Sequence, residues 1–268
     1  MSSFPNVIYG GYGDEKKTFS ASPGGLPLGQ LMKLPDGRSF RLAQCDSVTA
    51  LTAGVVVSRT AAVTGHGAIA GSGLLASNTA TENLSGQNLV HLITKTVAVT
   101  KDQYADGYMN VQLSAGNAEV YKIRANDSAA VSARCKFELE ENIKTAFAAG
   151  STAVSLHKNP YKEAIVYAAG TVISRPMGVT PVPVAVSYFF WTQRAGPASV
   201  RQSATVVVVG QGVFADSAIA GSVTTLVQAT AGSASTTELQ HYLASRIGVA
   251  LEAPSASEAC LVNLELEK

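Results

Sequence analysis

Residues 133–140 read Ala133-Arg-Cys-Lys-Phe-Glu-Leu-Glu140. Apolar and charged side chains alternate along this stretch. Successive residues of a strand point to opposite faces, so Cys135, Phe137 and Leu139 share one face and Lys136, Glu138 and Glu140 the other. A helix would scatter the same residues around its circumference. The stretch is therefore expected to be a strand with one buried face, and the search for further strands works outward from it.

To its N-terminal side, Tyr108–Leu113 alternates with Met109, Val111 and Leu113 on one face. Ser114–Ala118 is a turn and Glu119–Arg124 returns, which predicts a hairpin. Leu89–Thr100 is rich in branched residues and reads as a strand. Nearer the start, Gln30–Leu34 and Arg38–Leu42 flank Pro35-Asp36-Gly37. Proline presets φ, aspartate bonds locally and glycine accepts positive φ, so this is a hairpin turn. Val55–Val63 is a further candidate strand.

To its C-terminal side, Asn142–Ala149 is expected to form one short helical turn. Ala153–Leu156, Ala164–Ala168 and Gly170–Ile173 are short strand candidates. Ala185–Gln193 holds Tyr188, Phe189, Phe190 and Trp191, a pattern that suits a strand buried on both faces. Thr205–Val209 follows as another strand, and Ser245–Leu251 with Ala259–Glu267 closes the chain as a hairpin. Thr237–Arg246 is the one helix expected, with Ser235 and Thr236 ahead of Glu238 as a capping signal. Short strands spaced about ten residues apart predict a mainly β fold. It should be an antiparallel sandwich or barrel with hairpins and few short helices.

Residues 1–28 differ. Tyr9-Gly-Gly-Tyr-Gly-Asp-Glu-Lys-Lys17 and the Ser/Pro/Gly-rich Ser20–Pro27 carry neither periodicity, so an extended N-terminal arm is expected over 1–28. The β-rich body follows over 29–268, with a candidate subdivision near the prolines of 174–184. An arm of this kind is either disordered or lies across a neighbouring subunit. Tyr9 and Tyr12 would anchor it, beside Lys16 and Lys17, as partner-binding residues.

Composition narrows the function. The chain has 268 residues, 46% hydrophobic and 15% charged, with 20 Lys+Arg against 19 Asp+Glu. A typical domain carries about 25% charged residues. The near-neutral balance argues against nucleic-acid binding, which needs a basic stripe. Apolar runs are short, Val206–Val209 among the longest, which argues against a membrane-spanning helix. A surface with few charges suits contact with other proteins. No basic segment followed by an apolar one opens the sequence, so synthesis without export is expected. Cys45, Cys135 and Cys260 are odd in number and far apart, as free thiols are in a reducing compartment.

The sites for chemistry are poor. Gly65-His-Gly-Ala-Ile-Ala70 has the loose spacing of a dinucleotide loop, but no helix is expected after it. His66, His91, His157 and His241 share no metal-ligand spacing. Glu138 and Glu140 fall about 7 Å apart on one strand face, next to Lys136, as on a solvated surface. Asp102 and Asp106 read as turn residues. No catalytic residue, metal or cofactor is expected.

The ends of the chain resemble a known family. Pro27-Leu-Gly29, Leu34-Pro-Asp-Gly-Arg-Ser-Phe40 and Ala50-Leu-Thr-Ala-Gly54 are similar to the start of structural proteins of tailed bacteriophages. Gly248-Val-Ala-Leu-Glu252, a Ser/Ala-rich turn, and Cys260-Leu-Val-Asn-Leu264 resemble the terminal hairpin of phage capsid cement, or head decoration, proteins. The resemblance covers about a third of the chain. It implies a non-enzymatic structural protein, made in the host cytoplasm and placed on the capsid exterior. Its partner would be the major capsid protein, and it would act as a dimer or trimer. Another virion component (tail, baseplate or major capsid protein) and a carbohydrate-binding β module using Trp191 and the carboxylates are the competing readings.

Overall fold

A computed structural model describes residues 6–60, 63, 66, 83–94, 97–113, 118–147, 152–168, 175–204, 206–216, 218–225 and 245–267, without the side chains of 112 and 113. The fold is mainly β. The chain forms two compact units, one from residues 1–61 and 161–268, the other from residues 62–160. The second is an insertion into the first, so the division falls at 61/62 and 160/161 and not near 174–184.

The inserted unit holds β6 (Leu89–Ile93), β7 (Tyr108–Leu113), β8 (Glu119–Asn126), β9 (Arg134–Leu139) and β10 (Thr152–His157). They form an antiparallel sheet in the order β10-β7-β8-β9-β6. The expected β7–β8 hairpin is present. In β9, Cys135, Phe137 and Leu139 are fully buried, as their alternation requires. Met109, Val111, Tyr121, Ile123, Val154 and Leu156 complete the same core. Residues 142–147 carry no helix. There Ile143 and Phe147 turn into this core, and their backbone N–H groups bond to Gln87 and Asn83 carbonyls. Burial of two large side chains overrides a weak helical preference in so short a segment.

The larger unit contains β1 (Val7–Tyr9), β2 (Thr18–Phe19), β3 (Leu31–Lys33), β4 (Ser39–Gln44), β5 (Val56–Arg59), β11 (Ala164–Val166) and β12 (Gly178–Val179). It continues with β13 (Phe189–Arg201), β14 (Gly212–Ala215), β15 (Val223–Thr225), β16 (Arg246–Ala250) and β17 (Ala259–Glu265). The main path runs β1-β3-β4-β13-β17-β16-β14-β15. β13 is its spine, pairing with β4 in its first half and with β17 in its second. The register shifts between Gln193 and Ala195, where one partner hands over to the other. Phe190 and Trp191 are buried in different clusters, Phe190 with Val57 and Ala164, Trp191 with Phe40 and Leu42. Phe190 and Trp191 are thus buried on the two faces, as the composition suggested, whereas Tyr188 is exposed and Phe189 half-buried.

Both expected hairpins of this unit form, β3–β4 and β16–β17. Two expectations need correction. Val206–Val209 is not a strand. It is a loop held where the Gln202 side-chain carbonyl accepts the Val207 N–H. Only Val207 is buried, whereas Val206, Val208 and Val209 are exposed. Second, the N-terminal segment from Asn6 onward does not extend away from the body. β1 pairs in parallel with β3, β2 pairs with β13, and Gly10 N–H bonds to Lys33 O. Val7–Tyr9 is a short strand whose unmet backbone groups are satisfied by the β3 edge. Residues 237–244 of the expected helix lie outside the described residues, and Arg246 already belongs to β16. Gly170–Ile173 also lies outside them.

Candidate functional site

The N-terminal segment places its side chains through one tight turn. Gly11 N–H donates to Asp14 Oδ2 at 2.8 Å, and Lys17 Nζ donates to Asp14 Oδ1 at 2.7 Å. The Lys17 hydrogen bond, with the Gly11 N–H, holds the Asp14 carboxyl below the usual carboxylate range. Gly13 N–H donates to Glu15 Oε2 at 2.6 Å, and Glu15 is buried. With its backbone fixed in this way, the turn holds Tyr9 at 83% and Tyr12 at 67% exposure.

The four residues named from the sequence therefore separate. Tyr9 and Tyr12 are presented to solvent, and Lys17 is tied to Asp14. Lys16 lines a cleft of about 450 Å³. Glu15, Arg38, Gly54, Gln193 and Arg201 also line it. Arg38 Nη2 lies 3.6 Å from Glu15 Oε1, and its Nε donates to Asp36 at 2.7 Å. Neither Lys16 nor Arg201 has a side-chain partner among the described residues. Sequence reading missed Arg38, Glu15 and Arg201, because the cleft joins segments more than a hundred residues apart. The one local signal was Gly196-Pro197 inside a strand. A proline there has no N–H to give a ladder, as at an edge.

Beside the spine strand lies a second surface. Gly210 N–H bonds to Ala250 O, and Leu251 N–H bonds to Leu261 O. This brings the exposed valines of 206–209 next to the exposed Leu251 and Leu261.

The other candidates are structural. Glu138 and Glu140 are both bound by Arg124, at 2.9 and 3.0 Å, on an exposed face. Trp191 is 4% exposed, too little for stacking on a sugar. His66 is buried, with Nδ1 bonded to the Tyr104 hydroxyl and Nε2 3.1 Å from Val97 O. Residues 65 and 67–70 and His241 lie outside the described residues. His157 Nε2 lies 3.1 Å from Ser155 Oγ. His91, on β6, has its pKa lowered by burial and then by Lys136. Asp102 and Asp106 both adopt positive φ in a turn. Among the described residues no group of three His, Cys, Asp or Glu side chains could hold a metal. The three cysteines are free and buried. Burial pushes the Cys135 thiol up to about 12 and that of Cys260 up to about 11. No described helix is long and apolar enough to cross a membrane.

No family model, curated protein or solved structure matches this chain.

Proposed function

We propose that the chain is a capsid cement protein of a tailed bacteriophage. It binds the outer surface of the head between major capsid subunits, as a dimer or trimer, and stabilises the shell. The observation that carries this reading is the rigid display of Tyr9 and Tyr12 on a turn pinned into the sheet. The exposed valine loop with Leu251 and Leu261 supports it, as does the resemblance of the terminal segments. Aromatic rings held by an ordered backbone lose little entropy on docking, so each contact contributes fully. Repetition around the shell multiplies modest contacts.

The role of the N-terminal segment changes with the fold. It is not a free arm that orders on a neighbour but a fixed part of the body. Removing residues 1–20 would strip two strands from the sheet, so substitution of Tyr9 and Tyr12 is the cleaner perturbation. The reading is tested by heating heads that lack this chain, with and without it added, and following DNA release by dye fluorescence. Cement action raises the release temperature in a saturable way. An unchanged release temperature at saturating chain contradicts the proposal. Light scattering on the isolated chain gives its oligomeric state, and a monomer that stays monomeric on heads contradicts the dimer or trimer.

A further inference from the structure

The cleft lies along a stretch of β13 that, among the described residues, lacks a strand neighbour on one side. β4 pairs with β13 as far as Ala195↔Ser39. Beyond it, Arg201 N–H donates to Gly54 O at 2.8 Å on that same side. Successive residues of a strand point their backbone groups to opposite sides, so Ser199 and Pro197 face the way Arg201 does. The β17 side agrees. Ser199 is opposite Leu261, whose carbonyl turns away from β13 to accept Leu251 N–H. The Ser199 N–H and C=O therefore open into the cleft. Pro197 offers no N–H, and its carbonyl is taken by Gln193 Nε2 at 2.8 Å. Gly54 has φ +73°, and a Cβ there would lie 3.4 Å from Ser199 O. The positive φ calls for glycine at 54, and the contact to Ser199 O is an ordinary one.

Charge around the slot is net positive. Lys16, Arg38 and Arg201 line it with one carboxylate, Glu15, and Arg38 lies between Glu15 at 3.6 Å and Asp36 at 2.7 Å, so three cations meet two carboxylates. A site with an open backbone donor and acceptor, rimmed by two unpaired cations, is complementary to an extended peptide bearing an acidic side chain. A small anion would use the cations and leave the Ser199 carbonyl unmet. The geometry points to this cleft as a strand-addition slot for an acidic extended segment of a partner protein. The partner's backbone pairs with Ser199 and its carboxylate meets Lys16 and Arg201. Identifying the partner as a capsid subunit rests on the proposed function; the slot itself does not.

The test titrates the full chain, labelled with ¹⁵N, with a blocked pentapeptide carrying a central glutamate between valines and threonines. The same peptide with glutamine or lysine at the centre, and inorganic phosphate, are the comparisons. Saturable amide shifts at Ser199, Arg201 and Gly54 are expected, about tenfold weaker with glutamine and absent with lysine. Lys16→Glu with Arg201→Glu should weaken glutamate-peptide binding by at least about tenfold, and so should Ser199→Pro, which removes the open donor without changing charge. Trp191 fluorescence verifies that each variant is folded. Equal binding of the three peptides, no shifts at millimolar peptide, or phosphate reproducing the peptide's shifts overturns the slot. Co-sedimentation with heads separates the two readings. Heads that bind wild type and the Lys16/Arg201 variant equally overturn the capsid partner at this slot and leave the cement role. Peptide-selective binding without head binding overturns the cement role and leaves the slot.

Discussion

Replacing Arg194 with alanine should unlock the C-terminal strand from the spine. Arg194 sits at the register shift of β13, half-buried. Its guanidinium donates to Met177 O, to Leu266 O and, at 3.2 Å, to Glu267 Oε2, and it stands 5.9 Å from the Tyr161 ring centre. Glu267 is shared with Arg41, so the carboxylate keeps one cation in the variant. The loss is therefore two partly buried carbonyl partners and half of an ion pair. Hydrogen bonds from a charged donor contribute about 1.5–3 kcal/mol each. Side-chain exposures of 18% and 17% for Arg194 and Glu267 let water recover part of this. Arg194→Ala should cost about 3 kcal/mol. At a urea dependence of about 2 kcal/mol per molar, the midpoint falls by about 1.5 M. Trp191 is the sole tryptophan and is buried in the same unit, so its fluorescence follows this transition without interference from the inserted unit. Arg194→Lys keeps the charge but not the fork and should recover less than half of the loss. A loss under about 1 kcal/mol, or a lysine variant matching wild type, refutes the clasp.

In the inserted unit, Phe137→Ala should cost about 3–5 kcal/mol by urea melting followed by circular dichroism, because the ring is wholly enclosed. A cost typical of surface positions would contradict the core. Burial raises the Cys135 and Cys260 thiols to about 12 and 11 from an ordinary 9.0. Both bind their protons more tightly when folded, so their contribution is complete below about pH 9 and declines as pH rises towards those values. Urea midpoints should fall between pH 9 and 11, and Cys135→Ala with Cys260→Ala should flatten that fall. Thiol reagents at pH 8 should leave the folded chain unmodified and label all three cysteines in urea.

Much of the fold was readable because it rests on local alternation. Cys135-Lys-Phe-Glu-Leu139 and Cys260-Leu-Val-Asn-Leu264 have the period of two that burial of one face imposes, and both are strands. Pro35-Asp-Gly37 marked its turn through backbone geometry alone. What local pattern could not carry was pairing. Val7–Tyr9 is too short to show a period, and its strand exists because β3 offers a free edge. Val206–Val209 has strand composition but pairs with no strand among the described residues, and it stays a loop. The two-unit division was hidden for the same reason, since the chain leaves at 61 and returns at 161, and the Gly/Ser/Thr/Ala-rich tract that starts at the first boundary does not say that the chain comes back. At the candidate surface, exposed tyrosines could be named from a Gly-rich stretch. Arg201 and Ser199 could not, because their roles come from where β4 stops beside β13.

Saturation binding of the fluorescently labelled chain to heads that lack it tests the central claim most directly, with Tyr9→Ala and Tyr12→Ala measured alongside. The account predicts saturable binding. Anchors of this kind contribute about 2 kcal/mol or more each, so the double variant should bind at least about 700-fold more weakly. Its urea stability should change by no more than about 0.5 kcal/mol, as both rings are exposed. Absence of saturable binding, or equal affinity of wild type and the folded double variant, would contradict it.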